Sequence, residues 1–182
     1  MSAKARDARA RLQAAPRPRS SAAPDKRGGV TSISRTPVLF INGPNVNLDG
    51  HSGQPTGGGE PLEALGERCL RAAEASAIKL DFRQGSSEGE MVDAIQQAIG
   101  TKEGIIINGA GLACTSIAVL DALQAFPGPI VEVRMGNMHW RGSLDPASYI
   151  SRVATGVVSG MGSDGCELAV LAMRRLLDRP RA

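Results

Sequence analysis

The run Ile105-Ile106-Ile107, set between Gly104 and Asn108-Gly109, leaves a strand no polar face to turn toward solvent. A continuous β-branched run of this kind is the pattern of a strand covered on both sides, as in parallel sheets flanked by helices. The sequence around it supplies the covers. From about Thr36 short apolar runs alternate with amphipathic stretches of helical period. Val38–Ile41 reads as a first strand, and a glycine-rich loop over residues 42–60 follows it. Pro61 reads as a first helical turn, with Leu62, Leu65, Cys69, Ala72 and Ala73 on one face. Ile78–Phe82 is a second strand. Ser87 and Glu90 have capping-box spacing, and Met91, Ile95, Ala98 and Ile99 repeat as one helical face.

Beyond the isoleucine run, Thr115 and Ser116 can cap a helix with apolar positions Ile117, Leu120, Leu123 and Phe126, which Pro127-Gly128 stops. A strand at Ile130–Val133 comes next, then an irregular stretch to Ser151 and a short strand at Val157–Ser159. A last helix starts at Ser163 or Asp164, with Leu168, Leu171, Ala172 and Leu176 expected inward. Five strands alternating with helices predict an α/β fold with a doubly wound parallel sheet. Short right-handed crossovers favour the flavodoxin-like order 2-1-3-4-5. No internal repeat is found.

The charge is unevenly spread. Residues 1–35 hold nine Lys/Arg against two Asp/Glu, whereas the rest holds twelve against sixteen. The basic pI therefore comes from an Ala-, Arg-, Pro- and Ser-rich tail with too few bulky apolar residues to offset its ordering entropy. A disordered, solvated extension over 1–35 and a single domain over 36–182 are expected. A transit peptide or a weak polyanion-binding arm are the sharper readings of the tail, without a specific signal for either. No apolar window reaches the length of a membrane span, and no apolar core follows the start as in a secretory signal. Three widely spaced cysteines give neither a disulfide framework nor a zinc spacing. A cytoplasmic protein without metal is expected. The tail has no interleaved aromatics, so nothing marks a nucleic-acid reader.

The chemistry gathers where strands end, since the carboxyl edge of an open parallel sheet is its ligand crevice. Two strands end in Asn-Gly, at Asn42-Gly43 and Asn108-Gly109. The strand at 130–133 runs into Glu132, Arg134, Asn137, His139 and Arg141. Asn42, Asn45 and Asn47 lie within six residues, more amides than one turn needs. There is no Gly-Lys-Ser/Thr phosphate loop. Asn108-Gly109-Ala110-Gly111 before Thr115-Ser116 offers N–H groups at a helix start, which suits an anion. A small polar or anionic ligand is the expected partner.

The segments VLFINGPNVNLDG, LDFRQGSSEGEMVDAIQQA, GIIINGAGLACTSIAVLDAL, IVEVRMGNMHWRG and SYISRVATGVVSGMGSDGCELAVLA fall in the order and spacing of type II 3-dehydroquinate dehydratase, which the chain resembles over about residues 36–177. The resemblance implies a flavodoxin-like domain assembling into homotrimers and then dodecamers. It implies elimination of water from 3-dehydroquinate through an enolate, with no metal or organic cofactor. By the same resemblance Asn45 and Asn108 match the amides on the enolate side, and Asp121 the carboxylate that reaches a neighbouring subunit. Glu132 matches the carboxylate that orients the catalytic His, and Arg141 the Arg that follows the family's Ser-Asn motif, counted with the catalytic set. Met135 and Gly136 supply the two backbone amides, and Thr115, Ser116 and Asn137 the surrounding substrate contacts.

Several functional positions depart from that pattern. The loop that should carry the base Tyr and its tuning Arg reads His51-Ser52-Gly53-Gln54-Pro55-Thr56-Gly57-Gly58-Gly59. Arg134 stands at the general-acid His, Cys114 at a substrate-binding His, and Asp145 at a substrate-binding Arg. His51 is a substitute base only if the loop folds inward; a solvated loop His is the expected reading. His139 needs no catalytic role. Cys114, at a helix start that favours thiolates, is a candidate nucleophile, although a small buried stand-in is the expected role. Arg134 keeps its proton near pH 7 and so suits a carboxylate or oxyanion better than acid catalysis. The preferred expectation is a diverged lyase, isomerase or cyclase acting on another small oxygenated or carboxylated substrate. The alternatives are a non-catalytic binder or scaffold, and a genuine 3-dehydroquinate dehydratase with a substitute acid and base.

Overall fold

A computed structural model describes residues 35–48, 60–137 and 147–180. The strands are β1 (Thr36–Asn42), β2 (Ile78–Gln84), β3 (Gly104–Asn108), β4 (Ile130–Arg134) and β5 (Gly156–Ser159). The helices are α1 (Leu62–Ala75), α2 (Glu88–Ala98), α3 (Ile117–Gln124) and α4 (Asp164–Leu177). All strand pairs are parallel, in the order β2-β1-β3-β4-β5. This is the flavodoxin-like α/β arrangement expected from the sequence. The 1–34 tail lies outside the described residues.

The isoleucine run is two-sided, as its composition requires. Ile105 and Ile107 join Leu39 and Ile41 under α2 and α3, meeting Met91, Ile95, Val119 and Leu123. Ile106 joins Val38, Phe40, Val131 and Val133 on the other face, beneath α1 and α4. All three isoleucines are 0 % exposed. Period-two alternation thus sorts one strand between two cores. Helix α2 starts as its spacing predicts: Ser87 Oγ accepts from Glu90 N–H at 3.3 Å, and Glu90 Oε2 accepts in return from Ser86 N–H at 2.6 Å.

Some faces differ from the sequence expectation. In α4 the inward residues are Gly165, Cys166, Ala169, Val170 and Met173, whereas Leu168 and Leu171 are 40 % and 49 % exposed. This face lies close on the sheet: a Cβ on Gly104 of β3 would collide with Met173 Sδ, and one on Gly165 would be in ordinary contact with Val158 at 3.5 Å. Small residues let the helix lie against the sheet, and the longer leucines are displaced to its flank. Ile117 and Ile99 are likewise exposed, because they sit at helix ends, where the turn no longer faces the sheet. Pro61 is the N-cap residue of α1 rather than part of its first turn.

Arg68 ties α1 to the start of α4, donating to Glu167 at 2.7 Å, Asp164 at 2.6 Å and Glu60 at 2.8 Å. A second cluster braces β2. Arg83 donates to both oxygens of Asp81, at 2.8 and 2.7 Å, and Lys102 adds a contact at 2.6 Å. Arg83 first, then Lys102, holds the Asp81 carboxyl down to about 2 from 3.8. The folded value lies below the unfolded one, so the stabilisation is complete above about pH 4 and is lost as pH falls toward 2. Arg83 is substantially exposed, and screening reduces the effect to about 1 kcal/mol at pH 7. Asp81→Asn is therefore expected to lower stability by that amount at pH 7, the gap from the parent narrowing below pH 4 in urea unfolding. A gap unchanged from pH 7 to pH 3 would show that Asp81 acts through shape and not charge.

Candidate functional site

The carboxyl ends of β2, β1 and β3 are knitted together by backbone and amide groups. Gly43 N–H donates to Asn108 O at 2.7 Å and Gly85 N–H to Asn42 O at 2.8 Å. Asn42, 0 % exposed, donates through Nδ2 to Arg83 O at 3.4 Å, and Asn108 Nδ2 donates to Asn42 Oδ1 at 3.4 Å. Asn108 Oδ1 accepts from Ala110 N–H at 3.3 Å. That bond helps hold Ala110 at φ 47, a left-handed conformation that a Cβ-bearing residue adopts only under constraint. Asn45 is also left-handed, at φ 68, which asparagine tolerates, and its carbonyl accepts from Leu48 N–H in a tight turn. The third amide, Asn47, accepts from Gln84 Nε2 at 2.7 Å. One amide of the trio thus pins the sheet, one shapes a turn and one bridges to β2.

Glu132 and Arg134 alternate at the end of β4. Glu132 is 0 % exposed and accepts from Ser148 Oγ at 2.6 Å and from Ser151 Oγ. Arg134 keeps 16 % side-chain exposure; its Nη1 donates to Cys114 Sγ at 3.4 Å and lies 3.9 Å from Glu132 Oε1. Cys114 ends a 3-10 turn at Ala110–Cys114 that leads into α3. Ser116 caps that helix: its Oγ accepts from Val119 N–H at 2.9 Å and donates to Glu88 Oε1 at 2.5 Å. Thr115 Oγ1 donates to Gly111 O at 3.1 Å. Both hydroxyls are thus engaged within the protein.

The structure therefore joins Asn42, Asn108, Cys114, Glu132, Arg134, Ser148 and Ser151 around the strand ends. Met135 and Gly136 follow directly, their carbonyls accepting from Gly162 N–H and Ser159 Oγ, and Asn137 stands beside Gly160. Asp121 is exposed on α3, and among the described residues no hydrogen bond or ion pair links it to the cluster. His51, His139, Arg141 and Asp145 lie outside the described residues. Tyr149, the one tyrosine of the chain, donates its backbone N–H to Ala113 O at 2.7 Å, and Arg152 lies 5.4 Å over its ring. Among the described residues no group of three or more His, Cys, Asp or Glu is arranged to hold a metal, and no helix is long and apolar enough to cross a membrane.

Sequence patterning gives no sign of Ser148 and Ser151. Their partner is 16 and 19 residues away; Ser148 precedes, and Ser151 lies within, a 3-10 turn, Ile150–Arg152, too short to show periodicity. Asn42 shows in the sequence as the end of a strand and as one of three clustered amides, not as the pin between strands that it is. Chemically the arrangement presents a mostly buried guanidinium at the crevice edge, a shielded carboxylate behind it, and amides alongside. Such a site favours an oxyanion.

Comparison with known proteins agrees with the fold. The sequence profile of the Dehydroquinase class II family matches residues 36–174. The chain is 44 % identical over 138 residues to 3-dehydroquinate dehydratase 2 of Pseudomonas aeruginosa, covering 76 % of this chain and 93 % of that protein. It is 39 % identical over 152 residues to the 3-dehydroquinate dehydratase of Streptomyces avermitilis, covering 83 % and 96 %. The crystal structure of type II dehydroquinase from Butyrivibrio crossotus superposes with a TM-score of 0.73 at 29 % identity, covering 77 % of this chain and 98 % of that one. A profile spanning most of the folded chain, relatives near 40 % identity and a shared fold lead to one conclusion: this chain belongs to the class II dehydroquinase family.

Proposed function

We propose that this chain binds a small, oxygen-rich carboxylate at the strand-end crevice and acts on it as a diverged carbon–oxygen lyase, not as an ordinary 3-dehydroquinate dehydratase. The observation that carries the reading is Arg134. Its guanidinium stands where the family resemblance places an imidazole, mostly buried, with its nearest carboxylate oxygen 3.9 Å away and already bonded to serine. A guanidinium does not give up its proton near neutral pH, so Arg134 cannot protonate a leaving hydroxyl. It can hold a carboxylate or the oxyanion of an enolate, where a fixed cation in a low-dielectric site stabilises developing charge. Asn108, at the end of the neighbouring strand, has one amide N–H beyond its bond to Asn42 that no acceptor among the described residues takes. The reading includes the trimer-based homo-oligomer that the family resemblance implies, in which Asp121, exposed on α3, would reach a neighbouring copy.

A second reading has its own support: the relatives at 37–44 % identity are named 3-dehydroquinate dehydratase. One assay separates the two. Turnover of 3-dehydroquinate, followed by the absorbance of the enone product, is compared with the Pseudomonas aeruginosa relative. Loss of a general acid and a general base costs roughly 10²–10⁴-fold each, so the expected rate lies more than a hundredfold below that control. Turnover within a hundredfold would make this chain a genuine dehydratase with replaced acid and base.

A further inference from the structure

Glu132 is buried next to a cation, yet serines satisfy it. Ser148 Oγ donates to Oε1 at 2.6 Å and Ser151 Oγ to Oε2, while Arg134 Nη1 stands 3.9 Å from Oε1, beyond hydrogen-bond range. Ser148 precedes, and Ser151 lies within, a 3-10 turn that is itself fixed. Ser148 Oγ accepts from Ile150 N–H at 3.1 Å, Tyr149 N–H donates to Ala113 O, and the Ile150 side chain is 0 % exposed. Both carboxylate oxygens are therefore committed to hydroxyls on a rigid support. A carboxylate with an uncommitted oxygen this close to a guanidinium, shielded from water, would close onto it and take up its charge.

We propose that Ser148 and Ser151 are positioning residues that hold Glu132 off Arg134, leaving the guanidinium to an oxyanionic group of the ligand. The inference rests on the function proposed above and adds a ligand requirement: a carboxylate or enolate, not a neutral polyol. Three features support it together: the full burial of Glu132, the pairing of each oxygen with its own hydroxyl, and the 3.9 Å gap to a cation whose one hydrogen-bond acceptor among the described residues is a thiol. A guanidinium offers five N–H donors, so most of its capacity is left over by the described residues.

Calorimetric titration of the full chain with quinate, and with myo-inositol as a neutral ring of similar size, tests this. The parent is expected to bind quinate at least tenfold more tightly than myo-inositol. Ser151→Ala frees Oε2 while leaving Ser148 and its turn contacts in place, and quinate affinity is expected to fall tenfold or more. Ser151→Thr keeps the hydroxyl and is expected to keep the affinity. Adding Glu132→Gln to Ser151→Ala removes the competing charge and should bring affinity back to within threefold of the parent, a rescue that a merely structural serine would not show. Should Ser151→Ala not fold, Ser148→Ala with and without Glu132→Gln carries the same expectation. Unchanged quinate binding in Ser151→Ala or no rescue by Glu132→Gln would each overturn the inference while leaving the proposed function in place, whereas equal binding of myo-inositol by the parent would overturn the carboxylate preference on which both rest. A parent that binds no quinate at all would bring down both.

Discussion

Arg134→Ala is expected to weaken quinate binding by roughly a hundredfold or more, with little change in fold. Hydrogen bonds to a charged group contribute about 1.5–3 kcal/mol each, and a planar guanidinium commonly makes two to one carboxylate. Two such bonds amount to about 3 kcal/mol or more, and each 1.4 kcal/mol is tenfold in affinity. The stability effect should be small, because among the described residues the carboxylate nearest Arg134 stands 3.9 Å away and the acceptor of its hydrogen bond is sulfur at 3.4 Å. Arg134→Lys should recover only part of the affinity, since a lysine ammonium is a point charge on a flexible stem without the planar fork. Titration of the three proteins with quinate reads the series. A loss below threefold in Arg134→Ala would place the anion elsewhere in the crevice.

The same residue shows where sequence reading reached and where it stopped. Arg134 could be placed at the crevice from the alternation of Val131, Glu132, Val133 and Arg134, because a strand's period of two and the carboxyl-edge rule are local facts. The isoleucine run likewise predicted a two-faced central strand, and residues 105–107 divide between the two cores accordingly. What Arg134 touches was not legible. Cys114 is 20 residues away, and the two meet only because β3 and β4 are neighbours in the sheet. The serines that satisfy Glu132 come from a stretch with no regular period, so no pattern announces them. The facing of α4 failed for a different reason. Hydrophobicity favoured its leucines, whereas the distance between helix and sheet favoured Gly165 and Ala169, and close packing decided.

Gly43→Ala is expected to cost about 3 kcal/mol of stability and to impair quinate binding, although it adds a single methyl group. A Cβ at Gly43 would lie 2.5 Å from Gly109 O and 2.8 Å from Gly109 C, both backbone atoms, and 3.3 Å from the Ala110 Cβ. No rotamer change relieves such contacts, so the exits of β1 and β3 must separate. Separation strains the Gly43 N–H bond to Asn108 O and disturbs Ala110, already held at φ 47 by the Asn108 side chain. Overpacking of this kind costs about 1–3 kcal/mol, and a lost buried hydrogen bond adds about 1. Gly111→Ala, two residues beyond Gly109 in the same crevice wall, meets nothing within 4 Å and should change stability by less than about 0.5 kcal/mol. The pair of variants separates close backbone approach from a general intolerance of this loop to substitution. Urea midpoints at constant slope measure the difference, and equal losses in the two variants would mean that the approach of β1 to β3 is not what requires Gly43.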